Sequence, residues 1–173
     1  MTSIGPNSQS YNFIHSFDIP DLKRNVTKEP SYTQGTLMWM INSDPNFSKI
    51  KYMIKLAKLD GIYNDPQANI TLFIPYDLFL KHIAEEYFTE MDIGAARQTI
   101  QNCTLKYKIT SELIEDSAMS YYTTVARDKI EIMNINGITY CRKGEAPYNP
   151  TLRIIKKDII ASNGIIQVIN GLL

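Results

Sequence analysis

The sequence predicts an α+β domain in which the helices come first and the strands come last. Three observations carry this. Apolar residues before about residue 103 recur mainly at helical spacing. Beyond residue 105 they fall into short, β-rich runs. Asn136-Gly137 then marks a tight hairpin between two of those runs. Regular strand–helix–strand alternation is missing, so the sheet should be largely antiparallel.

Residues 1–35 are polar and punctuated by Pro6, Pro20, Pro30 and Gly35. Apolar bursts at Tyr11, Phe13, Phe17 and Ile19 make them an N-terminal arm that docks on the parent domain or on a partner. Residues 36–173 form the domain. Its first clear helix follows Ser43-Asp44-Pro45, with Asp44 as cap and Pro45 in the first turn. Phe47, Ile50, Met53, Ile54 and Ala57 make its core stripe, Lys51, Lys55 and Lys58 its opposite face, and Gly61 its end. Residues 70–74 read as a buried strand. Pro75-Tyr76-Asp77 opens a helix through Leu78, Phe79, Ile83 and on toward Phe88, with Asp77 accepting its first amides. A further helix covers 93–103. Strands are expected at 105–109, 121–125, 129–135 and 138–141, with a helical turn at 111–115. Residues 152–161 and 165–169 close a last hairpin through Ser162-Asn163-Gly164.

A chain of 173 residues holds one domain plus an arm, and 44% hydrophobic content supplies a core. Eighteen basic residues balance eighteen acidic ones. That excludes a dedicated nucleic-acid binder, which needs excess positive charge to neutralise phosphates. Cys103, Cys141, His15 and His82 are too few and too scattered for a zinc site. One disulfide is arithmetically allowed, but both cysteines sit in apolar segments, which favours two buried thiols. No metal or cofactor is expected. His82 lies near Lys81, Glu85 and Glu86, a pattern of exposed salt bridging. Without a phosphate loop or a nucleophile motif, no catalytic residue is expected and the chain should not be an enzyme. Asn-x-Ser/Thr tripeptides begin at Asn25, Asn46, Asn69 and Asn102; the last two fall on core elements where a glycan would hardly fit. The first ten residues do not resemble a secretory signal, and no apolar run is long enough for a transmembrane segment. Localisation therefore stays open between an intracellular or virion setting and export by a non-standard route.

Two strings carry a resemblance. Asn69-Ile-Thr-Leu-Phe-Ile-Pro-Tyr-Asp-Leu-Phe-Leu80 resembles the first signature of fasciclin-like domains, a strand ending in Pro followed by a helix start. Lys157-Asp-Ile-Ile-Ala-Ser-Asn-Gly-Ile-Ile-Gln-Val-Ile-Asn-Gly-Leu-Leu173 resembles the signature that closes the family's domain. Tyr107-Lys108 stands where the family often has Tyr-His, and Gln167 and Asn170 replace the closing strand's His and Asp. The resemblance implies a wedge of helices packed on a mostly antiparallel β core, with residues 70–80 and 158–173 as neighbouring central strands. It also implies a non-enzymatic adhesion or protein-interaction role.

Related domains present an Asp-Ile pair proposed to engage integrins, and Asp158-Ile159 matches it. The competing reading makes Ile159 core and has Asp158 satisfy a turn. Tyr107, with Lys108, is similarly open between partner contact and packing. The partners implied are proteins, either a surface receptor or neighbouring subunits of a large assembly. Heavy use of Ile, Asn, Lys and Tyr with only Val26, Val125 and Val168 suggests an AT-rich genome, hence the alternative of a minor capsid protein of a large DNA virus. A second alternative is weak lipid or nucleic-acid binding through Lys51, Lys55 and Lys58.

Overall fold

The computed structural model describes residues 29–144 and 148–173, and the fold below is that of residues 32–173. Gly35, at φ +86°, turns the chain into helix α1 (Leu37–Ser43). The Thr36 hydroxyl caps it by accepting the Trp39 N–H at 3.2 Å. A 3-10 turn (Pro45–Phe47) leads into α2 (Ser48–Leu56), which buries Ile50, Met53 and Ile54. Then come α3 (Asp60–Asn64), β1 (Ile70–Pro75), a 3-10 turn (Asp77–Leu80), α4 (Glu85–Thr89) and α5 (Ile93–Asn102). The remainder is β2 (Thr104–Leu105), α6 (Ser111–Glu115), β3 (Met119–Thr123), β4 (Lys129–Ile135), β5 (Ile138–Lys143), β6 (Leu152–Ala161) and β7 (Gly164–Ile169).

Among the described residues these strands form one sheet in the order β2-β1-β7-β6-β5-β4-β3. Every pairing is antiparallel except β1 with β7, which runs parallel from Ile70↔Gly164 to Pro75↔Ile169. The two strings expected to be neighbours therefore lie side by side. Both strands are buried along their whole length, as parallel strands covered on both faces must be. Gly164 permits this closeness: a Cβ there would sit 2.3 Å from the Ile70 carbonyl oxygen and 2.6 Å from Leu37 Cδ1.

Asn163 fastens the helical layer to the sheet. It is 0% exposed, accepts the Leu37 N–H at 2.8 Å, and donates to the carbonyls of Tyr63 and Asp65 at 2.9 Å each. Each tie satisfies a backbone group that burial would otherwise leave unpaired. On the sheet's outer wing, Asn136 (φ +51°) and Gly137 (φ +78°) form the β4–β5 turn, both in the left-handed conformation such a two-residue turn demands.

Several local expectations are corrected. Helix α1 was unforeseen. Its apolar residues Leu37, Met38 and Ile41 occupy a single two-turn stretch, too short to stand out as a periodic pattern. Gly61 does not end α2 but lies within α3; the chain turns at Lys58, with φ +57°. The single helix expected from residue 75 is a 3-10 turn followed by a separate α4. Leu78 is 60% exposed, so the spacing that suggested one continuous helix is not a buried face. Asp77 caps a different element, accepting the Lys49 N–H at 2.9 Å and the Ser48 hydroxyl, and so ties the start of α2 to the end of β1. Finally, residues 105–109 form only the two-residue β2. Thr71 Oγ1 accepts the Ile109 N–H at 2.9 Å and donates to the Tyr107 carbonyl at 2.7 Å, so a side chain replaces the backbone ladder.

Both cysteines are buried free thiols, and burial pushes each up to about 12. Asn102 is 6% exposed, whereas Asn69, expected on a closed surface, is exposed.

Candidate interaction surface

The Lys157-Asp158-Ile159-Ile160 string lies on a β-bulge. In the β6–β7 ladder Lys156 pairs with Val168 and Ile159 with Ile166, so Lys157 and Asp158 together face the single residue Gln167. Asp158 takes φ +54°, a left-handed conformation that Asp tolerates better than most residues. The bulge is clamped from within the fold. Gln167 is 0% exposed; its Oε1 accepts the Asp158 N–H at 3.1 Å. Its Nε2 donates to Asp158 Oδ1 at 2.8 Å and to the Ile109 carbonyl at 3.1 Å.

The Asp158 carboxylate also accepts the Ser111 N–H at 2.9 Å and the Ser111 hydroxyl. Burial pushes this carboxyl up. The hydrogen bonds from Ser111 and Gln167, with Lys157 beside it, outweigh that and hold it below its ordinary value. Lys157 forms an ion pair with Glu115, at the far end of α6. Asp158 and Lys157 thus both bind α6 to the bulge.

Tyr107 and Lys108 lie on the loop that Thr71 and Gln167 hold in place. The structure therefore brings this loop and Asp158 together through Ile109 and Gln167. Tyr107 is 39% exposed, with its ring 6.1 Å from that of Tyr122, and Lys108 is exposed. Ile159 pairs with Ile166, and Asp158 sits against Gln167, so adjacent residues serve opposite faces of the sheet. Ile160, next along, is 70% exposed. Tyr11, Phe13 and Phe17 lie outside the described residues.

On its own face Ile159 is half-buried. It lines a cleft of about 340 Å³ with Trp39, Met40, Phe47, Tyr76 and Ile166. The Phe47 and Tyr76 rings meet at 4.8 Å, and Asp44 and Lys156 are the charged members of the lining. α1 supplies Trp39 and Met40, so missing that helix meant missing the cleft. The available signal was Trp39, the chain's one tryptophan, within the run Leu37-Met-Trp-Met-Ile41.

Other candidates do not gather into a site. Lys51 and Lys55 are half-buried and Lys58 is exposed. His82 is exposed, and the nearby Glu85 pairs with Lys49. Among the described residues no group of three His, Cys, Asp or Glu side chains could hold a metal ion, and no helix is long and apolar enough to cross a membrane.

Comparison with known proteins agrees with this geometry. The fasciclin-domain profile matches residues 45–173. Among solved structures, the chain is similar to a FAS1 domain pair from the insect cell adhesion molecule fasciclin I. Identity is 19% and the TM-score 0.64, and the match covers 81% of this chain and 51% of that one. This chain thus spans about half the length of that pair. No curated protein matches it. From the span of the profile match and the shared fold, the chain belongs to the fasciclin domain family.

Proposed function

We propose that this domain is a non-enzymatic protein-interaction module whose partner inserts an apolar side chain into the cleft between Trp39, Tyr76 and Ile159. The observation that carries this reading is the cleft itself: an aromatic, methionine-bearing hollow that stays open at the edge of the core. Buried aromatic anchors of this kind supply most of the binding free energy in protein interfaces. The role named for fasciclin I, cell adhesion, supports the same class of function here. In this reading Asp158 positions Ile159 by clamping the bulge and does not touch the partner. Tyr107 and Lys108, on the opposite face, flank a secondary contact.

Trp39 makes the proposal measurable, since its emission reports on the cleft alone. A photo-crosslinking residue at Met40 should give a discrete adduct in extracts of the native source. Ile159→Lys should weaken capture by more than about tenfold, because it would put a charge where the partner's apolar side chain must pack. Tyr107→Ala should leave capture within about threefold, the scale of a rim contact. Peptide sequencing of the crosslinked partner separates a surface receptor from a neighbouring subunit of a large assembly. Adducts that survive Ile159→Lys but vanish with Tyr107→Ala would move the interface to the loop and overturn the proposal.

A further inference from the structure

A second cavity, sharing no residue with the Trp39 cleft, lies beside the short edge strand β2. It is smaller, about 180 Å³, and more enclosed. Leu59, Tyr63 and Ile70 form buried walls, Val125 is half-buried, and the exposed residues Ile62 and Lys106 mark the opening.

The polar atoms of the inner wall are already engaged. Thr104 Oγ1 donates to the Ile100 carbonyl at 2.7 Å and therefore accepts from the Tyr63 hydroxyl at 2.8 Å. The interior thus offers a guest apolar surface only. The opening differs: neither the Lys106 ammonium nor the Gln101 amide has an ion pair or hydrogen bond among the described residues. An apolar cavity of about 150 Å³ accommodates a benzene ring. This one therefore has room for a six-membered ring or a chain of about six carbons.

We propose that this cavity binds a small monocarboxylate, its apolar body against Leu59, Tyr63, Ile70 and Val125 and its carboxylate on Lys106 and Gln101. The body selects size and the ammonium selects charge. A ligand of so few atoms binds weakly, with Kd in the range of about 1–10 mM.

The test uses the full chain, with benzoate as the probe and benzyl alcohol as its uncharged counterpart, followed by amide chemical shifts. Benzoate should give saturable shifts at Ile62, Thr104, Lys106 and Val125, and benzyl alcohol the same pattern at lower affinity. Lys106→Gln, at an exposed position that does not threaten folding, should weaken benzoate about three- to fivefold, the strength of a solvent-exposed ion pair, and leave benzyl alcohol unchanged. Val125→Phe should fill the cavity and remove both responses. The proposal is overturned by shifts that do not saturate, by shifts that persist in Val125→Phe, or by equal losses for both probes in Lys106→Gln.

Discussion

Every residue of β1 and β7 at the centre of the sheet is buried, while along β3 in the outer wing burial changes from one residue to the next. The centre has no wet face, so each polar side chain it holds must find a protein partner. Thr71 and Gln167 do, as does Asn163 in the turn that opens β7, through bonds to backbone groups of other segments. The wing has a solvent side and is less strict. There Tyr121, Glu131 and Arg142 stand directly opposite one another across three strands, and Arg142 is ion-paired with the 2%-exposed Glu131. On the wing's other face Asn134 and Thr139 pair across β4 and β5. Yet Asn134 Oδ1 and Thr139 Oγ1 are buried without a hydrogen-bond partner among the described residues. The lesson is that buried polarity in the centre fixes the fold, whereas part of it in the wing only burdens it.

That contrast breaks first at Asn163. Asn163→Ala removes three hydrogen bonds, two of them buried, and orphans the Leu37 N–H, and should cost about 3–5 kcal/mol. Urea denaturation measures it, and a loss below about 1.5 kcal/mol would put the centre on the wing's footing. Asp158, on β6 between the two regions, should be intermediate: about 1–2 kcal/mol for Asp158→Ala. Asp158→Gly should cost less, because glycine accepts φ +54° without strain. The Asp158 carboxyl is held below its ordinary 3.8, so its contribution is present above pH 3.8 and disappears as the pH falls below that value. A stability difference between wild type and Asp158→Asn that stayed constant from pH 6 down to about pH 2 would contradict the assignment. The smallest effect belongs to the wing. Thr139→Val exchanges an unpartnered hydroxyl for a methyl of the same shape and should be neutral or stabilising by up to about 1 kcal/mol. A clear destabilisation in thermal melts would mean that this hydroxyl is engaged after all.

Residues whose neighbours dictate their conformation were legible in the sequence. Asn136-Gly137 specifies its turn unaided, and the β-rich runs at 70–74 and 165–169, apolar apart from Thr71 and Gln167, announce strands. The carboxylates were less legible, because their partners are distant in the chain. Asp77 caps a helix 28 residues away, and Asp158 holds Ser111 across 47. Local capping rules point each one at its own turn. The cleft was invisible for the same reason, since Trp39, Tyr76 and Ile159 meet only after the sheet closes.

The parallel pairing of β1 with β7 also sets an order of events. β1 emerges early from the ribosome, yet its principal neighbour is the domain's final strand. Between those moments the β7-facing edge of a mostly apolar strand waits, while β1–β2, the β3–β4–β5 meander and β5–β6 can form ahead of it. High contact order of this kind slows folding and leaves sticky intermediates exposed, so nascent chains from which β7 has not yet emerged should be the ones chaperones hold.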